Sequence, residues 1–404
     1  MVRTTSLFSQ LLRFIPQSEF NEIVRKHGAE RAAKGFKSWT QLVAMLFCHL
    51  AAAESLREIT TGLQTCLGKL RHLGVARPPS HSTLSYANAH RPADMFKDLF
   101  YLVLGRLRNL GELGPGKHKF RFQNTLMSLD STTISLCLNL FPWAKFRQHK
   151  GAVKAHVLLN HNDYLPSFVH ITDGKKADVK VAHMLKIPTG SIVAMDRGYN
   201  DFRLFQKWHE EGVFFVTRMK DNTSYTIVNR RETPDKGAIL LDARIELTGT
   251  AASEVTCPLR LVTVWDVEHD RYFDLLTNHT GLVATTISAI YKDRWKIELF
   301  FKSLKQNLKI KTFVGTSENA LLIQIWTALL AIVLMRWCQF HSRVGWSFSV
   351  MATMLRMSLF VYRDLRDWLD NPLQWNNDPP DIFQLSLPIP GIGQLIAAEG
   401  GTSP

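Results

Sequence analysis

The sequence has few cysteines, and those it has form no recognisable pattern. An odd and dispersed set without a CxxC pair argues against a disulfide framework and against a structural zinc site. We therefore expect a reduced, cytoplasmic compartment. The five cysteines are spread along 404 residues at positions Cys48, Cys66, Cys137, Cys257 and Cys338.

The sequence also lacks an export signal and a long apolar run. Its first twenty residues mix polar and apolar side chains, without the continuous apolar stretch or the small-residue cleavage site of a signal peptide. The most apolar segment is 320–335, which has 16 residues, whereas a helix that crosses a bilayer needs about 20. We expect this segment to be a buried helix that covers a sheet, and we expect no membrane partner.

Acidic residues are too few to balance the basic ones. There are 35 Asp and Glu against 49 Lys and Arg, which gives a net charge of +14. The excess favours polyanionic partners, of which nucleic acids and anionic membrane surfaces are the commonest. A hydrophobic fraction of 46% supports a real core and excludes wholesale disorder, and the length fits two to three domains.

Residues 1–118 have the apolar spacing of short amphipathic helices. Ser55 and Glu58 form a capping-box pattern, and a further helix begins near Ser82 and ends before Pro92. Short helices with basic residues nearby are typical of a helical DNA-binding domain, although a helical domain with a solvated basic face fits equally well. The basic residues in question are Arg71, His72, Arg77, His81, His90 and Arg91.

The pattern changes to strands after a Gly-Pro-Gly loop at 114–116. No internal repeat interrupts the sequence. We divide the chain into a helical domain 1–118, a first core segment 119–220, a β-rich insertion 221–285 whose later strands could belong to the core, a helical second core segment 286–370 and a tail 371–404. The elements expected within it are strands at 125–129, 155–160, 168–172, 191–195, 213–217, 259–267 and 272–277, and helices at 204–211, 286–308 and 320–335, followed by a second helical run to about 369.

Two aspartates follow predicted strands directly. Asp130 comes after Ser-Leu and precedes Ser-Thr-Thr, and Asp196 follows SIVAM and precedes Arg-Gly-Tyr. An aspartate in the middle of a buried strand is costly, whereas one at the carboxyl end can point into a cleft. Either residue alone fits a turn or cap, but the shared context suggests one site.

A third element is the predicted helix that contains Tyr291, Arg294, Glu298 and Lys305. These residues are separated by 3, 4 and 7 positions, which places them on one helix face. Taken alone, the pattern fits a surface helix with Arg–Glu ion pairs. Together with the two aspartates, Glu298 completes a set of three carboxylates.

Three carboxylates of this kind can hold a pair of Mg²⁺ ions. Oxygen ligands suit hard divalent ions, and two such ions can stabilise the attacking and leaving oxygens of phosphodiester displacement. Tyr, Arg and Lys side chains on the same helix face could bind the DNA phosphates around the cut. A glycoside hydrolase also uses two carboxylates, but it has little need for these basic neighbours or for a basic chain.

The pattern Y-x2-R-x3-E-x6-K at Tyr291, Arg294, Glu298 and Lys305 resembles the signature of IS-four-type DDE transposases of bacterial insertion sequences. LDSTTI around Asp130 and IVAMDRGYND around Asp196 are similar to that family in order. The N-terminal helical stretch looks like the helical domain of one branch, so the resemblance covers nearly the whole chain.

The resemblance implies an α/β fold: a ribonuclease-H-like catalytic core with a β-rich insertion domain, preceded by an N-terminal α-helical DNA-binding domain. It implies that Asp130, Asp196 and Glu298 are catalytic and bind two Mg²⁺ ions, with Mn²⁺ as a substitute. Further implied roles are phosphate contacts by Tyr291, Arg294 and Lys305, and capture of a flipped base by Trp295, for which core packing is the alternative.

The implied activity is cut-and-paste transposition. The protein would bind the terminal inverted repeats of its insertion sequence, cleave the ends and join the 3′-hydroxyls to target DNA, as a homodimer in the synaptic complex and associated with the nucleoid. The alternatives are a metal-dependent, structure-specific nuclease and a non-catalytic DNA-binding regulator derived from a transposase. A regulator predicts a broken set of carboxylates, yet all three are present.

Overall fold

The architecture is taken from a computed structural model. It describes residues 5–31, 33, 35–66, 68–114, 120–136, 143, 145–147, 150–233, 237–249, 255–307 and 314–373. Some sequence predictions lie outside these residues: those on Cys137, on most of the Gly-Pro-Gly loop, on the last residue of the helix expected to end near Leu308, and on the tail beyond 373.

The N-terminal part is helical, as predicted. Ser55 caps the fourth helix by accepting from the Glu58 amide, and the Glu58 carboxylate accepts from the Glu54 amide at 2.8 Å. This local pairing satisfies donors that the first turn of a helix leaves free. The helices are α1 (Leu7–Leu12), α2 (Gln17–Lys26), α3 (Ser38–Leu50), α4 (Leu56–Thr65), a 3₁₀ turn (Leu70–Leu73), α5 (His81–His90) and α6 (Asp94–Asn109).

One of the basic residues assigned to the N-terminal surface is buried. Arg91 is only 8% exposed; its guanidinium donates to the Gln41 side chain at 3.1 Å and to the Phe36 carbonyl. A buried guanidinium with these partners stabilises the packing of the chain around α3. Arg91 is therefore not part of a solvated basic face, and the sequence alone does not show which arginine of this region faces inward.

The apolar segment 320–335 lies inside a longer helix, α11 (Glu318–His341). It packs mainly against α3, α5, α6 and the following helix α12 (Phe348–Ser358). Its main contacts are with helices, and the same apolar core also contains Ile134, Val157 and Leu159 of the sheet, so α11 lies in a core shared by helices and sheet. By length and composition α11 could cross a membrane, but its most apolar window is 89% buried inside the protein.

The two ends of the described chain are joined at this helical layer. The amide of Leu7 donates to the Val361 carbonyl at 3.0 Å, and the amide of Phe8 donates to that of Leu359 at 2.9 Å. The N-terminal helices share one apolar core with α11, α12 and α13 (Leu365–Asp370). The helical layer is therefore one packing unit, while the proposed domain boundaries stay a prediction.

In the described part of the chain, one ten-stranded sheet forms the rest of the core. Its order is β2-β3-β1-β5-β6-β10-β9-β8-β7, with β4 paired to β3. The hairpin predicted around 161–163 is confirmed as β3 and β4, and the four later strands continue the same sheet through β10 and β6. The strands are β1 (Leu126–Leu136), β2 (Lys145–Arg147), β3 (Lys150–Asn160), β4 (Leu165–Asp173), β5 (Ile192–Met195), β6 (Phe214–Arg218), β7 (Tyr225–Arg230), β8 (Ile239–Leu247), β9 (Leu259–Asp266) and β10 (Arg271–Thr277).

Asp130 does not end its strand. Strand β1 continues to Leu136 because β3 pairs with it along its whole length, with Asp130 opposite Val157. The parallel pairing with β5 stops one residue earlier, at Leu129 and Met195. From Asp130 onward, β1 is therefore no longer paired with β5. The Asp130 carboxylate can point into a cleft there, as was expected of a residue at the end of a strand.

The helix predicted from 286 is broken in two. Helix α9 (Ala284–Asp293) and helix α10 (Lys296–Lys302) are joined at Arg294 and Trp295, and a π turn (Ser303–Asn307) follows. At the joint, amides donate three residues back, including Arg294 to Tyr291 at 3.2 Å. These shorter hydrogen bonds bend the chain between the two helices. Because no proline or glycine marks the bend, the sequence pattern predicts one continuous helix.

Helices cover both faces of the sheet near the aspartates. Helix α8 (Phe202–Glu210) packs Phe205 and Trp208 on one face. Helix α9 packs Ile287 and Ile290 on the other. A short helix, α7 (Asp178–Ala182), precedes β5.

Candidate functional site

Neighbouring parallel strands bring Asp130 and Asp196 together. Asp196 directly follows β5 and caps the 3₁₀ turn Arg197–Tyr199, accepting from the Arg197 amide at 2.7 Å. Side chains alternate along a strand, so Asp130 lies on the same face of β1 as Leu126, which packs in the cluster containing the α9 residues. Both carboxylates are thus directed toward the helix that carries the signature residues.

Arg294 joins the helix to this edge of the sheet. Its guanidinium contacts the Asp130 carboxylate at 3.3 Å and the Glu298 carboxylate at 3.4 Å. One buried cation therefore lies between the first and third acidic residues. The break at Arg294 still leaves Arg294 and Glu298 one helical turn apart, so the predicted Arg–Glu pairing survives.

The three carboxylates influence one another electrostatically. The pKa of Asp130 is raised to about 6, chiefly by burial; the negative charges of Asp196 and Glu298 contribute to the rise, and the Ser131 amide and the Arg294 guanidinium oppose it. Repulsion between neighbouring carboxylates has this sign. A cation added among them would relieve that repulsion.

Tyr291 lies against the same arginine. The Arg294 guanidinium is 5.6 Å from the centre of the Tyr291 ring, and the centres of the Tyr291 and Phe273 rings are 5.9 Å apart. Burial raises the pKa of the Tyr291 phenol, so it stays a neutral hydrogen-bond donor. Tyr291 therefore forms part of the wall of the cleft.

Lys305, the last signature residue, contacts strand β1, whereas Trp295, which follows Arg294, is exposed. The Lys305 ammonium donates to the Thr133 carbonyl at 2.8 Å, which ties the π turn to β1 just beyond Asp130. Trp295 is 59% exposed, so core packing does not explain it. It borders a cavity of about 470 Å³ that also contacts Asp196, Arg218 and the β9–β10 hairpin with Trp265.

Sequence reasoning missed a buried network that supports the joint between α9 and α10. His161 Nδ1 lies 2.8 Å from Asp293, and its Nε2 lies 2.7 Å from the Ser128 hydroxyl. His161 is 9% exposed, Asp293 5% and Ser128 0%. These contacts connect β1, the β3–β4 turn and the last residue before Arg294. Their sequence separation of up to 132 residues leaves no local signal.

The comparisons with known proteins settle the family. Residues 121–334, more than half the chain, match the family model described as "Transposase DDE domain". The chain belongs to the DDE transposase family. Residues 3–76 also match a domain of unknown function, DUF4372.

Relatives named as transposases cover most of this DDE transposase. A Sinorhizobium fredii protein named as transposase y4zB is 31% identical over 71% of this chain and 79% of its own length. A Geobacillus stearothermophilus protein, named as a transposase for insertion sequence element IS5377, is 31% identical over 64% of this chain and 67% of its own. The piggyBac transposase synaptic complex with hairpin DNA aligns over 90% of this chain and 82% of its own at 10% identity, with a TM-score of 0.45.

Members of the DDE family act on DNA and depend on metal ions, typically Mg²⁺. The donor set here fits such an ion, since Asp130, Asp196 and Glu298 offer only oxygen and lie close enough to raise the pKa of Asp130. A second acidic group, Asp266, Glu268 and His269, lies on the β9–β10 hairpin. His269 of this group already hydrogen-bonds Asp266 at 2.9 Å, so we do not assign a metal site to the group.

A polar cluster lies next to Asp130. Lys154 and His156 of β3 share a partner, Asp178, whose carboxylate lies 3.3 Å from the Lys154 ammonium and 3.2 Å from His156 Nδ1. His156 Nε2 lies 3.0 Å from the Thr172 hydroxyl. These contacts give His156 a structural role. Through Asp178 they also connect helix α7 to strand β3.

Asp178 predicts a pH-dependent contribution to stability. Burial alone would raise its pKa, but hydrogen bonds from His156 and Ser131 and the charge of Lys154 lower it to about 2. A depressed folded-state pKa stabilises the protein above the unfolded value near 4, and that stability is lost as pH falls toward 2. We expect Asp178→Asn to lower the free energy of unfolding by about 1–2 kcal/mol at pH 7.

This prediction is checked by urea unfolding of the wild type and Asp178→Asn between pH 7 and pH 3. The difference between the two proteins should stay nearly constant from pH 7 to about 5 and shrink below that, as the unfolded state begins to bind the proton. Asp173→Asn, which removes an exposed carboxylate a few residues away, serves as the control and should change little. A gap of constant size across the pH range would contradict the predicted pKa.

Proposed function

We propose that this chain is the transposase of an IS-four-type insertion sequence, which binds the terminal inverted repeats, cleaves the DNA ends and joins the 3′-hydroxyls to target DNA. The observation that carries the proposal is the position of Arg294 between Asp130 and Glu298, beside Asp196. Arg294 and Glu298 belong to the Y-x2-R-x3-E-x6-K pattern, and the chain belongs to the DDE family.

Asp130, Asp196 and Glu298 are the proposed ligands of two Mg²⁺ ions. When bound, the ions supply charge stabilisation for the attacking and leaving oxygens at phosphorus. The three carboxylates fix their positions, and Arg294 is then available to hold a phosphate oxygen next to the centre. Mn²⁺, another divalent ion that accepts oxygen ligands, is expected to substitute.

Two in-line displacements at phosphorus account for the reaction. In the first, water attacks the phosphodiester at the transposon end and a 3′-hydroxyl leaves; in the second, that hydroxyl attacks a target phosphodiester and displaces the 3′-oxygen of the target strand, which leaves as a 3′-hydroxyl. Tyr291 and Lys305 are proposed to bind phosphates at the end of the element, and the exposed ring of Trp295 to stack on a base. The exposure of Trp295 and its cavity support this role.

The finer points of architecture belong to the same proposal. The order β4-β3-β1-β5-β6, antiparallel over the first three strands and parallel over the last three, supports a ribonuclease-H-like core. The basic helical region 1–118 is proposed to bind the repeats, and a homodimer to pair two ends in the cytoplasm, at the nucleoid. The net charge of +14 supports DNA as the partner.

The test is cleavage of labelled DNA that carries the terminal repeats flanking the gene, in Mg²⁺ and in EDTA. We expect metal-dependent cutting at the repeat boundary and products joined to a target duplex. Specific binding without cutting would favour a DNA-binding regulator. Cutting of branched DNA, with neither repeat specificity nor joining, would favour a structure-specific nuclease.

A further inference from the structure

A second, strongly basic cavity lies on the outer side of α10. It has a volume of about 310 Å³ and is formed by α10, the end of α11 and the start of α12. Three cationic side chains line it, Lys296, Lys302 and Arg336, and no carboxylate is among its described lining residues. Like charges gathered without an acid repel one another, so this cavity favours an anion.

Arg336 gives the clearest indication of a missing partner. One of its terminal nitrogens donates to the Gln339 side chain at 2.6 Å, while its buried Nε has no hydrogen-bond partner among the described residues. Burial lowers the pKa of this guanidinium. A buried cationic donor is costly when it is unpaired.

The nearby acidic groups are committed to other partners. Asp163 binds Arg108 through two contacts of 2.5 and 3.1 Å. Asp293 lies 2.8 Å from His161. Neither lines the cavity, so the negative charge of Asp163 acts on Arg336 only from outside it.

The rest of the cavity wall also suits an anion. The Lys296 ammonium lies 5.5 Å from the centre of the Tyr164 ring, and the Lys302 side chain is exposed. Ser347 caps the eleven-residue helix α12, so the partial positive charge of that helix end adds to the three cations. Lysines, a guanidinium and a helix N-terminus are together typical of phosphate binding.

We propose that this cavity binds a phosphodiester of the DNA strand that passes the candidate catalytic centre, an inference that rests on the proposed function. The cavity borders Leu299, the residue after Glu298. Successive residues of a helix differ by about 100° around its axis. The bound phosphate therefore lies about a quarter turn around α10 from Glu298, on the strand entering or leaving the cut.

The experiment measures affinity for a terminal-repeat duplex against salt concentration, with Mg²⁺ replaced by Ca²⁺. The variants are Lys302→Gln, Lys296→Gln/Lys302→Gln, and the matched control Lys186→Gln, which removes an exposed lysine elsewhere. We expect the double variant to reduce the slope of log K against log [salt] by about 0.9, as for one lost phosphate. Slopes equal to those of the wild type and the control would overturn the proposal.

A second arm distinguishes DNA from free phosphate, which has the same chemistry. Inorganic phosphate is titrated calorimetrically into the wild type and the double variant without DNA. Phosphate binding that the double variant loses, together with an unchanged DNA slope, would assign the cavity to the free anion and overturn the DNA proposal. Thermal unfolding of each variant confirms that the side-chain changes leave the fold intact.

Parallel cleavage assays separate this inference from the proposed function. Wild-type cleavage with unchanged salt slopes would overturn the phosphate site alone. A reduced slope in a protein that does not cleave would support the site and count against the transposase chemistry. Absence of DNA binding by the wild type would overturn both.

Discussion

Glu298→Gln is expected to abolish DNA cleavage while leaving binding to the terminal repeats intact. Glutamine has nearly the same size and still offers an oxygen to the Arg294 guanidinium, which lies 3.4 Å from Glu298. It removes the negative charge that a metal ligand must supply. Loss of several kcal/mol of charge stabilisation corresponds to a fall in rate of at least about a thousandfold.

The measurement compares single-turnover cleavage of end DNA by the wild type, Glu298→Gln and Glu246→Gln. Glu246 is an exposed residue of β8, so its variant controls for the loss of one acidic charge. Binding is followed in Ca²⁺ by gel shift with the same duplex. Cleavage by Glu298→Gln within tenfold of the wild type would remove Glu298 from the catalytic set.

The sequence predicted the local elements of this fold well. Period-two patterns around a polar turn predicted the β3–β4 hairpin, and Ser55 predicted the start of α4. These features depend on residues close together in the chain, so their signals are local. The signature from Tyr291 to Glu298 could likewise be recognised from the sequence, because its spacing matches a helix. The bend at Arg294 and Trp295 does not alter that spacing.

Errors arose where tertiary pairing overrides local pattern. The length of β1 beyond Asp130 is determined by β3, which follows about twenty residues later and pairs up to Leu136. The apolar sequence of α11 predicts burial but does not specify what covers it. Asp178 and His161 were missed for the same reason. Their partners lie on other elements, so no periodic pattern in the sequence indicates the contacts.

The His161 network carries the last prediction. Asp293 ends α9, and the next residue, Arg294, contacts both Asp130 and Glu298. His161 joins Asp293 to Ser128, two residues before Asp130 on β1. The network therefore sets the distance between the strand and the helix that hold the first and third carboxylates, without touching the reacting atoms.

We expect Asp293→Leu to reduce the cleavage rate by about 10- to 100-fold, because a shift of about 1 Å in a reacting group has an effect of that size. It should also lower the free energy of unfolding by about 1–3 kcal/mol, since His161 loses a buried acceptor. Asp293→Asn keeps an oxygen that can accept from His161 Nδ1 and should recover most of the activity.

The decisive readout is the Mg²⁺ concentration that gives half-maximal cleavage, measured well below the unfolding temperature of each variant. Displaced carboxylates bind the ions less tightly, so this concentration should rise in Asp293→Leu and return in Asp293→Asn, while binding of end DNA in Ca²⁺ stays the same. A loss of stability alone would lower the amount of active protein without changing the metal dependence. A folded Asp293→Leu protein with wild-type rate and metal dependence would show that the positions of Arg294 and Glu298 do not depend on His161.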